Sequence, residues 1–104
     1  MKKKVYKVRH KATGLFYRPG SDVNLAKDGK VYTTKNTILT FMRDGYAVDV
    51  NVTTNSKIYK EYANIFDKLE FHPGKAVHRL NCSYEDFELV EYEIELKEIG
   101  IAEY

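Results

Sequence analysis

The chain has one cysteine, no tryptophan and only two prolines in 104 residues. A lone thiol, Cys82, closes no internal disulfide, so stability has to come from burial, and a reducing compartment suits the chain. No apolar run approaches the roughly 20 residues that cross a bilayer, so no membrane partner is expected. Met1 is followed by Lys2, Lys3 and Lys4 but by no apolar segment, so no secretory signal is expected either. The sequons at Asn51-Val52-Thr53 and Asn81-Cys82-Ser83 are then coincidental. Glycine, proline and serine are not in excess, and there is no repeat, linker or low-complexity tract. One domain over residues 1–104 is expected, large enough to bury a core.

Catalytic signatures are missing as well. There is no nucleophile elbow, no glycine-rich phosphate loop and no H-E-x-x-H, and Gly74-Lys75 lacks the rest of a P-loop. His72, His78 and Cys82 are the only soft-ligand cluster, and their spacing matches no zinc pattern, which normally needs four ligands. His72 and His78 are expected at the surface or in a loop beside Pro73-Gly74. Acid–base chemistry between His10 and His72 or His78 is conceivable, but nothing around them supports it. The expectation is a protein that is not an enzyme and holds no metal or cofactor.

What the chain does have is segregated charge and many tyrosines. Residues 1–45 carry eleven Lys/Arg against three Asp, a net +8, while residues 46–104 carry six against twelve, a net −6. Nine of the fourteen aromatic residues are Tyr. Such asymmetry hints at an anionic partner. It is also what a basic strand beside an acidic one would give.

Val5, Tyr6 and Val8 among Lys7, Arg9 and Lys11 predict a strand with Tyr6 and Val8 turned inward. A turn at Ala12-Thr13-Gly14 and a short return strand at Leu15-Phe16-Tyr17 follow. After Pro19-Gly20 an irregular stretch is expected, with Leu25 as its anchor. Asp28-Gly29 is a tight-turn dipeptide before a strand Lys30-Val31-Tyr32-Thr33. Helical spacing of Ile38, Leu39, Phe41 and Met42 predicts a helix over 35–44, capped by Thr34 or Asn36 and stopped by Gly45. Tyr46, Val48, Val50 and Val52 alternate as a half-buried strand. Residues 57–69 have the clearest helical period. Ala76 to Leu80 fits strand or helix, and Asn81 to Glu85 reads as loop. Val90, Tyr92, Ile94 and Leu96 alternate with Glu91, Glu93, Glu95 and Lys97 in a final strand.

The fold class expected is α+β: one mostly antiparallel sheet of about five strands with two helices on one face. The simplest closure pairs the acidic last strand with the basic first, setting Lys7 and Arg9 against Glu91, Glu93 or Glu95. The positive charge left over surrounds the hairpin turns and the first helix. Lys11, Arg18, Lys27, Lys30, Tyr32 and Lys35 are therefore the residues expected to touch a partner or nucleic acid. Basic residues interleaved with rings suit single-stranded nucleic acid, and the helix behind Thr33, Thr34 and Lys35 could hold a phosphate. The acidic run from Glu85 to Glu98 could in turn mimic nucleic-acid phosphates.

One stretch has a relative in kind. Lys7-Val8-Arg9-His10-Lys11-Ala12-Thr13-Gly14-Leu15-Phe16-Tyr17, followed by Gly29-Lys30-Val31-Tyr32-Thr33-Thr34, resembles a module of small tailed-bacteriophage proteins. That module is a K-[IV]-R-x-K-x-T-G-L-[FY] hairpin, then G-K-x-[YW] leading into a helix. Those proteins often end in an acidic alternating strand, as Glu88 to Glu98 does. The resemblance covers about a third of the chain, and no catalytic residue comes with it. It implies an accessory protein in the cytoplasm of an infected bacterium, which binds and inhibits or redirects a host defence or nucleic-acid-processing protein. A small RNA- or DNA-binding module using the basic half is the alternative. Homodimerisation through a sheet edge is open to either.

Overall fold

A computed structural model describes residues 1–53, 60, 69–70 and 77–103. Its longest pairing joins the two most oppositely charged segments. Strand β1 (Lys2–His10) runs antiparallel to β7 (Phe87–Glu95) in one unbroken register from Lys2 opposite Glu95 to His10 opposite Phe87. Pairing of first and last strands is therefore as expected. β1 turns through Gly14, whose N–H reaches the His10 carbonyl, into β2 (Phe16–Arg18). β2 pairs with β3 (Asn24–Ala26), giving a four-stranded sheet ordered β3-β2-β1-β7.

A second sheet holds β4 (Val48–Thr53), β6 (Val77–Cys82) and β5 (Leu69–Glu70), in the order β4-β6-β5. One backbone bond joins the edges of the two sheets: the Asn51 N–H donates to the Val23 carbonyl at 2.8 Å. Helix α1 (Ile38–Arg43) has six residues, and a 3-10 turn spans Tyr84–Asp86. The expected single sheet with two helices is thus overturned. Mostly strand, in two sheets, with one short helix, is what the described residues form. The helix expected over 57–69 falls outside the described residues except at Lys60, which is helical as expected, and at Leu69, which belongs to β5. The His72-Pro73-Gly74 turn also lies outside them.

Local chemistry accounts for the other differences. Thr37, rather than Thr34 or Asn36, caps α1; its Oγ1 accepts from the Leu39 N–H at 3.2 Å, so the helix begins later than its apolar spacing suggested. The end falls at the expected place. Gly45, at φ +102°, lets its own N–H reach the Met42 carbonyl and the Tyr46 N–H reach that of Phe41. Leu39 and Met42 are buried, whereas Phe41 is 60% exposed. Lys30 to Thr33 makes only a bridge, with Tyr32 exchanging both backbone bonds with Tyr6 at 2.8 Å. Residues 24–26 are strand rather than irregular, and Leu25 is buried there as expected. β6 extends to Cys82, so Asn81 and Cys82 are ladder rather than loop.

One core serves both sheets. Val8, Tyr17, Leu25 and Phe87 from the first meet Val50, Val52, Leu80 and Cys82 from the second, with Leu39 and Met42 of α1. Phe87 belongs to it, edge-on to His10 (5.4 Å between ring centroids) and to Tyr17 (6.3 Å). The radius of gyration is 16.1 Å, well above the roughly 13 Å of a compact chain of this length. Exposure rises along β7 away from Phe87, so the far half of the β1–β7 ribbon extends past this core.

Candidate interaction face

Directly opposed residues in an antiparallel ladder share a face. Val8 with Leu89 and His10 with Phe87 therefore mark the inner face of the ribbon, which continues into the core. The outer face carries Lys3 with Ile94, Val5 with Tyr92, Lys7 with Val90 and Arg9 with Glu88. Phe16, opposite Arg9 on the other side, joins it. The alternating apolar stripe of β7 thus lies on the outer face, away from the core that its period predicts it should meet. Tyr92 and Ile94 remain 37% and 40% exposed.

The charge ladder is shifted from the one expected. Glu91, Glu93 and Glu95 lie opposite Tyr6, Lys4 and Lys2, not opposite Lys7 and Arg9. Their ion pairs run diagonally, Lys4 to Glu91 at 3.9 Å and Lys2 to Glu93 at 3.8 Å, while Glu95 takes the Met1 amine at 3.0 Å. Arg9 meets Glu88 instead, its Nε donating at 3.1 Å. Lys7 has no carboxylate opposite. Its Nζ sits 4.8 Å from the Phe16 ring centroid and 5.9 Å from that of Tyr92, a cation between two ring faces. The outer face is therefore an apolar patch with Lys3 and Lys7 on it and one internally balanced pair, Arg9–Glu88, at its end.

The six residues expected at a contact surface fall differently. Lys11, Arg18, Lys27, Lys30 and Lys35 are all exposed and form no ion pair with a described residue. Tyr32 is half-buried against the core. Of the six, Lys30 and Tyr32 are in contact, with Lys30 Nζ 4.9 Å from the ring centroid. Lys11 follows β1, Arg18 ends β2, and the Lys30 N–H donates to the Tyr17 carbonyl beside Arg18 at 3.0 Å. The rings that stacking on bases would need are largely engaged. Tyr6 and Tyr17 are buried, and Phe16 and Tyr32 lie under lysines. Helix α1 has too few turns for an anion site, and its cap comes from its own Thr37.

Both described histidines are internal, which corrects the surface placement expected for His78. It is 1% exposed on β6, on the same face as Leu80 and Cys82. His10 is buried with Nδ1 3.0 Å from Thr13 Oγ1; since that hydroxyl oxygen also accepts from the Leu15 N–H, its proton is available to the ring nitrogen. Among the described residues no three His, Cys, Asp or Glu side chains converge on a metal-sized site. Burial raises the phenol pKa of Tyr17, and raises that of Tyr32 with a further contribution from Tyr17 itself.

A cleft of about 390 Å³ lies where β3 meets β4, lined by Asp22, Asn24, Leu25, Asn51, Val52, Thr53 and Val77. The Asn24 Oδ1 is shielded from solvent and has no hydrogen-bond partner among the described residues. No described helix is long and apolar enough to cross a membrane. Comparison with known protein families, curated proteins and solved structures finds no match to this chain.

Proposed function

We propose that this protein acts by binding, without catalysis, and that its partner is a protein engaged by the outer face of the β1–β7 ribbon. The observation that carries this is the apolar stripe of Val90, Tyr92 and Ile94, which faces away from the core and has Lys3 and Lys7 among it. Apolar side chains exposed in a contiguous row mark interaction sites more often than isolated ones do. Lys3 and Lys7 favour an acidic and apolar partner surface. The resemblance of residues 7–17 and 29–34 to the phage module supplies the setting: the cytoplasm of an infected bacterium, with a host defence or nucleic-acid-processing protein inhibited or redirected.

Affinity capture from infected cells, with and without nuclease treatment, tests this. A specific partner should survive nuclease and be lost with Tyr92→Glu or Ile94→Lys. Absence of any specific partner, or one that disappears with nuclease, would overturn it.

The second reading is contact with RNA or DNA. Exposed cations that form no ion pair with a described residue, among them Lys11, Arg18, Lys27, Lys30 and Lys35, favour it. Engagement of the rings leaves phosphate attraction as the main contribution. Affinity should then fall steeply with salt and weaken on Lys30→Ala or Lys35→Ala, with little dependence on base identity. No retention of nucleic acid at low salt would sink this reading.

A further inference from the structure

β7 is the outermost strand of its sheet, and no described strand pairs with its other side. The ladder to β1 shows which backbone groups that edge presents. Lys11 N–H donates to the Asp86 carbonyl at 2.9 Å, and Leu96 N–H to the Met1 carbonyl at 2.8 Å. The even-numbered residues from 86 to 96 therefore turn their backbone toward β1. The odd-numbered residues from 87 to 95 turn theirs toward the open edge. Beyond Glu95 the chain continues without assigned secondary structure through Glu103. In that segment Ile99 and Ile101 are 95% and 96% exposed. A nine-residue edge without proline, flanked by bare isoleucines, is a template for another strand.

We propose that the strand it takes is the same edge of a second copy, paired antiparallel about a two-fold axis at Ile94. The self-complementarity of residues 89–99 is the argument. In that register Ile94 meets Ile94 of the second copy, and Tyr92 meets Leu96. Leu89 meets Ile99, and Glu91 meets Lys97, each of these pairs occurring twice by symmetry. Leu89, Tyr92, Ile94, Leu96 and Ile99 are all exposed large apolar residues in the single copy, and all five gain an apolar neighbour. Odd-numbered residues face odd-numbered ones, so the open N–H and C=O groups meet in step. Against it stand Glu93 with Glu95, whose carboxylates have Lys2 and the Met1 amine as partners in their own chain, and Val90 with Glu98, each pair also occurring twice. Such an interface is isologous and closes as a dimer. The axis keeps both outer faces on one side, so the apolar patches of two copies become continuous.

Sedimentation of the purified chain, from low micromolar to near-millimolar concentration, reads the association directly, apart from any host partner. A dimer is expected; a monomer throughout this range would overturn the proposal. Glu93→Pro removes an N–H from the open edge but none from the β1 ladder, so it should give a folded monomer with an unchanged circular dichroism spectrum. The charge pair gives a second, gentler test. Glu91→Lys and Lys97→Glu should each weaken self-association about tenfold by setting like charges opposite. Mixing those two variants should restore dimers, because positions 91 and 97 would again carry opposite charges at both ends of the interface. A dimer indifferent to Glu93→Pro and to both charge variants would place the interface elsewhere and overturn the register.

Discussion

Gly29 lies so close against Phe16 that a methyl group on its α-carbon would collide with the Phe16 Cβ and crowd the Tyr17 carbonyl oxygen at 3.1 Å. Its φ of +62° is also one that side-chain-bearing residues rarely adopt. The turn before Lys30 is thus pressed directly onto β2, where the Lys30 N–H donates to the Tyr17 carbonyl at 3.0 Å. Gly29→Ala should lower stability by about 1–3 kcal/mol, measured by urea denaturation. By contrast Gly14 has open space around the same position, so Gly14→Ala should cost only the strain of its positive φ.

Phe87 is 3% exposed and holds the rings of both His10 and Tyr17. Phe87→Ala should cost about 3–5 kcal/mol through the lost transfer energy and the cavity left behind. Phe87→Leu should cost clearly less, because it fills most of that space. Equilibrium unfolding of the two variants side by side checks the order.

The ribbon's ion pairs should matter little to stability. Lys2, Lys4, Glu91 and Glu93 are each about half exposed or more. Lys2→Ala and Lys4→Ala should each change stability by less than about 0.5 kcal/mol, with the difference vanishing at high salt. Arg9→Ala should cost more, near 1 kcal/mol, because its half-buried guanidinium also loses packing. Thermal melts in low and high salt separate the two cases.

Alkaline pH should loosen the fold through Tyr17 and Tyr32. Both phenols have pKa values raised by burial above the ordinary 10.0. Their neutral forms are therefore favoured in the folded state, and the unfolded chain releases the proton first. The contribution is fully present below the ordinary tyrosine value and is lost as pH rises from there through the raised folded values. Melting temperature should fall over that window, and Tyr17→Phe should flatten the fall.

Much of the first sheet was legible from residues 1–18 and 87–97, because alternation, turn glycine and charge all agreed there. The pairing of first and last strands followed from charge alone. Its register did not, since Lys7 prefers the rings of Phe16 and Tyr92 to any carboxylate, and alternation carries no information about cross-strand rings. Which face of β7 turns inward is hidden in the pattern for a related reason. Phe87, at the strand's start, fixes which face meets the core, yet the longer stripe of Val90, Tyr92 and Ile94 dominates the pattern. β6 was obscured because one of its three inward residues is His78, which breaks the apolar signature. Among the expected contact residues, Lys11, Arg18, Lys27, Lys30 and Lys35 lie exposed, Arg18 at the end of β2 and Lys27 and Lys30 on the one connection that follows β3. Which of them become neighbours depends on strand order, which no local pattern encodes.

The β1–β7 ladder joins residues separated by almost the whole described length of the chain, and this sets a limit on how the protein folds. Closing so long a loop has to come before any of the ladder's bonds form, so refolding should be slow for a domain of this size. Until β7 arrives, β1 is a bare edge carrying Lys2, Lys3, Lys4, Lys7 and Arg9. Two such incomplete chains repel one another along that edge, whereas β7 attracts it. The basic charge of the first strand would then act as a guard against misassembly during folding.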